Sequence, residues 1–145
     1  MDKTLFIIFW IYTLLGAILE HISYYIGNTF FNSKPKYLNN PILTGFPLYG
    51  LGGLWINYTY KKYLTGYNDI QLFFIFGTMI TILEYVIGKM VGAGISDTGV
   101  PSWDYSKEVF NFQGIISMRH FISWGLLGLT IIRIQPKLEK QIYKL

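Results

Sequence analysis

Four stretches of the chain are apolar on every side: approximately residues 5–26, 43–60, 70–91 and 115–134. A helix needs roughly 20 mainly apolar residues, at 1.5 Å of rise each, to cross a hydrocarbon core about 30 Å thick. None of the four carries the broad polar stripe of a helix that lies half in water. The pattern predicts an all-α polytopic membrane protein: a single membrane domain over residues 1–145 with four transmembrane helices. The run from Leu5 to Ile11 is the clearest part. The second stretch is the weakest, because Pro47 lies within it and Gly50, Gly52 and Gly53 follow.

The first stretch continues past Glu20 and His21, and no small-residue cleavage site follows it. It reads as a retained span rather than a cleaved signal. Basic residues set the orientation of such a chain. Lys3, Lys61, Lys62, Arg133, Lys137, Lys140 and Lys144 fall on the side of the two ends and the 61–69 turn. Lys34, Lys36, Lys89, Lys107 and Arg119 fall on the other. Seven against five places both termini in the cytoplasm, with the cell membrane as the host. The longest outer loop covers 92–114.

Two hairpins echo each other. Ala17-Ile18-Leu19-Glu20-His21 in the first span matches Thr81-Ile82-Leu83-Glu84-Tyr85 in the third, at an offset of 64 residues. Tyr49-Gly50-Leu51-Gly52-Gly53-Leu54 in the second matches Trp124-Gly125-Leu126-Leu127-Gly128-Leu129 in the fourth, at an offset of 75. The pattern predicts two similar helical hairpins in the same orientation, a parallel pseudo-repeat of the kind found in transporters.

Composition sharpens this picture. Only 14% of the residues are charged, against about 25% in soluble domains, so little polar surface is available to face water. There is no cysteine, which excludes disulfides, a thiol nucleophile and cysteine-bound zinc. The net charge of +4 is spread along the chain. No basic, aromatic-interleaved face suits nucleic acid, so the lipid bilayer is the expected partner.

Ionisable groups inside a span are expensive and face protein or water. Counted along the helix, Glu20 lies roughly 22 Å and Glu84 roughly 21 Å above the inner ends of their spans. Arg119 lies within roughly 7 Å of the outer end of the fourth. The three share a level, which predicts an intramembrane polar cluster of Glu20, Glu84, Arg119 and His120, with His21 nearby. Structural ion pairing and function both fit such a cluster. A metal site from Glu20, Glu84 and His120 has acceptable ligand types, but no spaced motif supports it. No metal, cofactor or catalytic residue is assigned.

The outer loop holds Trp103-Asp104-Tyr105-Ser106 and Phe110-Asn111-Phe112. Its aromatic residues suit the headgroup level, and its length suits a functional lid. Asp104 is expected to cap a short helix. The stretch 41–50, with Pro41, Pro47, Gly45 and Gly50, is a poor continuous helix. It is expected to form a pocket wall beside the charged level. Tyr49, Trp103, Asp104, Tyr105 and Asn111 are the outer-loop and pocket-wall candidates.

These residues also carry a family resemblance. Gly16-Ala17-Ile18-Leu19-Glu20, then Gly45-Phe46-Pro47-Leu48-Tyr49-Gly50, then Leu83-Glu84-Tyr85 with Gly88 occur in order. Trp103-Asp104-Tyr105-Ser106, Phe110-Asn111-Phe112 with Gly114, and Trp124-Gly125 with Gly128 follow. The chain resembles the ABC-transporter type IV (CmpB-like) membrane family, and is similar to a small eukaryotic four-span family of unknown function. The Trp-Asp-Tyr-Ser element is the most specific match. Gly45-Phe46-Pro47 departs from the Gly-Pro pair common there, and residues 95–100 read as a local insertion. The resemblance implies a transporter permease component.

No phosphate-binding G-x-x-x-x-G-K-[ST] loop is present, so the chain is not the ATPase. The leading expectation is a permease or transport-accessory subunit of unknown substrate, acting as a homo-oligomer or with separate transporter subunits. The alternatives are a structural or assembly module, and a membrane enzyme on a lipid-linked substrate with Asp104, Glu84 or His120 as acid–base groups.

Overall fold

The computed structural model describes residues 2–31, 46–94 and 103–144. Four helices follow in order: α1 (Lys3–Phe31), α2 (Phe46–Thr59), α3 (Asp69–Val91) and α4 (Met118–Ile142). Tyr60–Leu64 extends α2 as a π-helical turn. Among the described residues there is no strand; one isolated bridge joins Phe112 and Ile116 in the α3–α4 loop. Residues 41–45 of the expected pocket wall, and the expected insertion 95–100, lie outside the described residues.

The helix ends have local causes. Pro47 falls in the first turn of α2, where its missing amide hydrogen has no intrahelical partner to lose. Asn68 and Gln71 form a reciprocal capping box at the start of α3, with both bonds at 3.0 Å. Gly92 ends α3 at φ +70°, a left-handed conformation that only a residue without Cβ adopts freely. Ser117 caps α4.

Each helix packs most closely on its sequence neighbour, α1 on α2 and α3 on α4. The partners are antiparallel. Tyr49 lies on Gly16 and Gly53 on Tyr12, while Gly125 lies on Phe73 and Arg133 pairs with Asp69. Between the pairs, α2 and α4 run the same way: Tyr49 meets Trp124 near one end and Lys61 meets Glu139 at the other.

Equivalent positions make equivalent contacts. A Cβ on Gly50 would strike the Phe9 ring, and one on Gly125 would strike the Phe73 ring. A Cβ on Gly53 would strike Tyr12, and one on Gly128 would strike Phe76. Phe9 and Phe73, like Tyr12 and Phe76, stand 64 residues apart; the glycines stand 75 apart. These are the two sequence offsets. The buried core of Ile8, Tyr12, Ile56, Leu72, Phe76, Ile131 and Ile132 includes three pairs at the same offsets: Ile8 with Leu72, Tyr12 with Phe76, and Ile56 with Ile131.

Two of the four helices are long and apolar enough to cross a membrane: residues Lys3–Gly27 of α1, and α3. In their most apolar stretches only 22% and 17% of residues are buried within the protein. A core helix of a water-soluble domain would be mostly buried. Large apolar side chains such as Leu14, Ile18, Phe74 and Ile82 are instead exposed along them. α2 is shorter, and α4 carries Arg133, Lys137, Glu139 and Lys140 in its last turns.

Candidate functional site

Glu20 of α1 and Glu84 of α3 line one groove between the two helix pairs. The groove has a volume of about 630 Å³ and draws its walls from all four helices and from Trp103 and Tyr105 of the loop. Most of the lining is Leu, Ile and Gly. Wall residues Leu15, Leu19, Leu51 and Leu83 are also exposed, so the groove opens sideways on an apolar face.

Each carboxyl is engaged by an aromatic donor from the partner helix. The Tyr49 hydroxyl donates to Glu20. Gly16, one turn before Glu20, lets the Tyr49 ring lie against α1. The Trp124 indole donates to Glu84 at 2.9 Å, and the Tyr105 hydroxyl donates to the same carboxyl at 3.4 Å. Both donors to Glu84 are neutral. Tyr49 and Trp124 meet with ring centroids 6.1 Å apart.

Arg119 takes a different carboxylate from the pair proposed by depth alone. Its Nε and Nη2 donate to Glu108 at 3.1 and 2.6 Å, a two-pronged ion pair, and its Nη1 donates to the Ser23 hydroxyl of α1 at 2.8 Å. The Glu108 side chain is only 1% exposed. Ser117 Oγ donates to Glu108 at 2.6 Å and accepts from His120 Nδ1 at 2.9 Å, while Arg119 Nη2 reaches His120 Nε2 at 3.3 Å. Burial opposes the charge on Glu108, but the His120, Arg119 and Ser117 bonds outweigh it and hold its carboxyl down at about 2. The Ser117 proton points at Glu108, and Ser117 is buried as the α4 cap. The Ser117–His120 contact is therefore not a nucleophile–base pair.

His120 connects this network to the groove through Tyr105. Their rings stack at 3.9 Å with an 18° tilt, and Tyr105 reaches on to Glu84. His21 lies elsewhere: it is exposed and bonds the Ala17 carbonyl of its own helix at 2.7 Å.

The remaining loop candidates knit the loop. The Trp103 indole donates to the Ile115 carbonyl at 2.9 Å while its ring lines the groove. The Asn111 amide donates to the Ser106 and Glu108 carbonyls, and its oxygen accepts from the Gly114 amide. Asp104 accepts from the Ser106 amide at 2.8 Å. It closes a turn there rather than capping the helix that the sequence predicts. Among the described residues, no group of three His, Asp or Glu side chains is placed to share a metal ion.

A family model described as "Putative ABC-transporter type IV" matches residues 7–145. The chain belongs to this family. No curated protein and no solved structure matches it. The family's description relates this type IV chain to transport and to a membrane, in keeping with its two apolar, outward-facing helices.

Two members of the network escaped sequence reasoning as partners. In the sequence Glu108 is an acidic residue of the α3–α4 loop and Ser23 a polar residue of the first span, and no motif marks either as a partner of Arg119. The available signal was the number of charges: a buried arginine next to a loop acid is more economical than one between two distant helices. In this type IV chain the groove carboxyls and the loop ion pair are thus two adjoining assemblies, joined by Tyr105.

Proposed function

We propose that the chain crosses the bilayer four times, as two similar hairpins with both termini in the cytoplasm of the cell. In this reading it serves as a permease or transport-accessory subunit. The α2 segment, 14 residues of α-helix and 5 of π-helix, rises about 28 Å, close to the thickness of the hydrocarbon core. Four spans make a narrow path, so the subunit works in a homo-oligomer or beside separate transporter subunits. Any ATP hydrolysis comes from a partner, because the chain has no phosphate-binding loop.

The observation that carries this reading is Glu84. An ionisable side chain lies in an apolar, laterally open groove, held by neutral Trp124 and Tyr105 donors. An intramembrane carboxyl in such a place marks a ligand or ion path more often than a scaffold. Arg119, His120 and Glu108 belong with the scaffold in this account, and Glu20, Glu84 and Tyr49 with the site.

The test is complementation in the native host. A deletion strain is screened for altered uptake or efflux, and the defect is restored with wild-type chain or with Glu84→Gln. Glu84→Gln is expected to insert and accumulate normally yet leave the defect in place. Full rescue by Glu84→Gln and Glu20→Gln together would leave the groove without a transport role.

A further inference from the structure

We propose that a second cavity, at the α2–α3 end of the helices, binds an anionic phospholipid, with Lys62 holding the lipid phosphate. The inference goes beyond the transport reading of the larger groove. It needs only that this end of the chain lies at a bilayer surface, whichever side that is.

The first argument is position. The cavity has a volume of about 470 Å³ and lies where the first turns of α1, the end of α2 and the polar part of α4 come together. Tyr58, Tyr63 and Tyr67 are exposed around the same turn. Exposed tyrosines mark the headgroup level of a membrane protein. Leu5 and Leu54 give the cavity an apolar wall, which suits the start of an acyl chain.

The second argument is charge. Lys61, Lys62 and Glu139 line the cavity. Both Glu139 oxygens accept from Lys61 at 3.1 Å, so those two charges offset each other. Lys62 has neutral partners instead. Its ammonium donates to the Tyr58 hydroxyl at 2.8 Å and stands 5.3 and 5.1 Å from the centres of the Tyr58 and Tyr63 rings. Among the described residues no carboxylate pairs with it. The two rings hold the ammonium at the cavity without neutralising it. A lipid phosphate brings the opposite charge. A choline lipid brings a cation as well, which offsets that gain.

The third argument is local structure. Tyr60–Leu64, which carries both lysines, is π-helical, a rare conformation that occurs as single turns, frequently at functional sites. Just before it, Asn57 is 5% exposed, and its side-chain oxygen has no hydrogen-bond partner among the described residues. A buried polar atom without a partner is uncommon and calls for a cause. Asn57 lines the cavity, so this acceptor suits a headgroup hydroxyl.

The test is native mass spectrometry of the full chain in mild detergent, with phosphatidylglycerol and phosphatidylcholine of the same acyl chains as probes. The wild type is expected to hold phosphatidylglycerol several-fold more tightly. Lys62→Gln is expected to weaken phosphatidylglycerol binding about fivefold, the effect of one lysine beside an anionic headgroup, and Lys62→Arg to keep most of it. Lys62 is exposed, so both variants are expected to fold. Lys144→Gln removes the same charge from an exposed position outside the cavity and is expected to bind as wild type. Glycerol 3-phosphate in excess is expected to leave the lipid bound. Equal binding of the two lipids, unchanged binding by Lys62→Gln, or an equal loss in Lys144→Gln would overturn the site. Displacement by glycerol 3-phosphate would overturn the lipid assignment in favour of a soluble phosphate.

Discussion

Tyr49 and Trp124, 75 residues apart in the chain, meet at a 44° tilt with ring centroids 6.1 Å apart, and each donates a hydrogen bond to the glutamate of its own hairpin. One aromatic contact between the hairpins thus joins the donors of both carboxyls. Removing either donor leaves a carboxyl with one partner fewer in an apolar groove. Tyr49→Phe and Trp124→Phe are each expected to lower unfolding free energy by about 1.5–3 kcal/mol, the range for hydrogen bonds to charged groups. Denaturant or thermal unfolding in mild detergent measures this.

The glycines separate close approach from mere flexibility. Gly53 and Gly128 face Tyr12 and Phe76, whereas nothing lies within 4 Å of a Cβ on Gly52. Gly53→Ala and Gly128→Ala are expected to destabilise by about 1–3 kcal/mol through overpacking. Gly52→Ala is expected to be neutral or stabilising by up to about 1 kcal/mol, because alanine favours the helix. Parallel unfolding curves of the three variants decide the point.

The helices were legible because a lipid-facing surface demands uninterrupted apolar sequence. α3 begins and ends within a residue of its expected bounds. α4 runs to Ile142, eight residues past the expected 134, because hydropathy finds where an apolar stretch stops rather than where the helix does. Its polar extension is held by Lys61 on Glu139, at 3.1 Å, and by Gln135 within the core. That Glu20 and Glu84 share a level was legible from counting residues, and both line one groove. The carboxylate that engages Arg119 was not. That choice depends on how residues 103–117 fold back through Trp103, Asn111 and Ser117, which no spacing along the chain encodes.

The Glu108–Arg119 pair is expected to be a lock between the loop and α1. Glu108→Gln removes the carboxylate charge from a largely buried guanidinium, 19% exposed, and is expected to cost about 3–5 kcal/mol. Replacing both, as Glu108→Gln with Arg119→Met, is expected to cost less than the sum of the single changes. A double-mutant cycle on unfolding free energies measures the coupling.

Acid exposes the same lock. The Glu108 carboxyl sits at about 2 when folded, below its ordinary 4.5. Its folded-state stabilisation is complete above the ordinary value and is lost as pH falls from there toward about 2. The wild-type melting temperature is therefore expected to fall between about pH 4.5 and about pH 2. Glu108→Gln, already less stable, is expected to show a shallower fall over that window.

The central claim is that two like-oriented hairpins cross the bilayer and carry the groove between them. It is tested most directly by single cysteines in a chain that has none of its own. Gly66, Phe110 and Lys144 are exposed positions in the α2–α3 turn, the α3–α4 loop and the C-terminal end. In intact cells a membrane-impermeant maleimide is expected to label Phe110→Cys, while Gly66→Cys and Lys144→Cys react only after permeabilisation. Labelling of Phe110→Cys and either other position from the same side would contradict the four-span account.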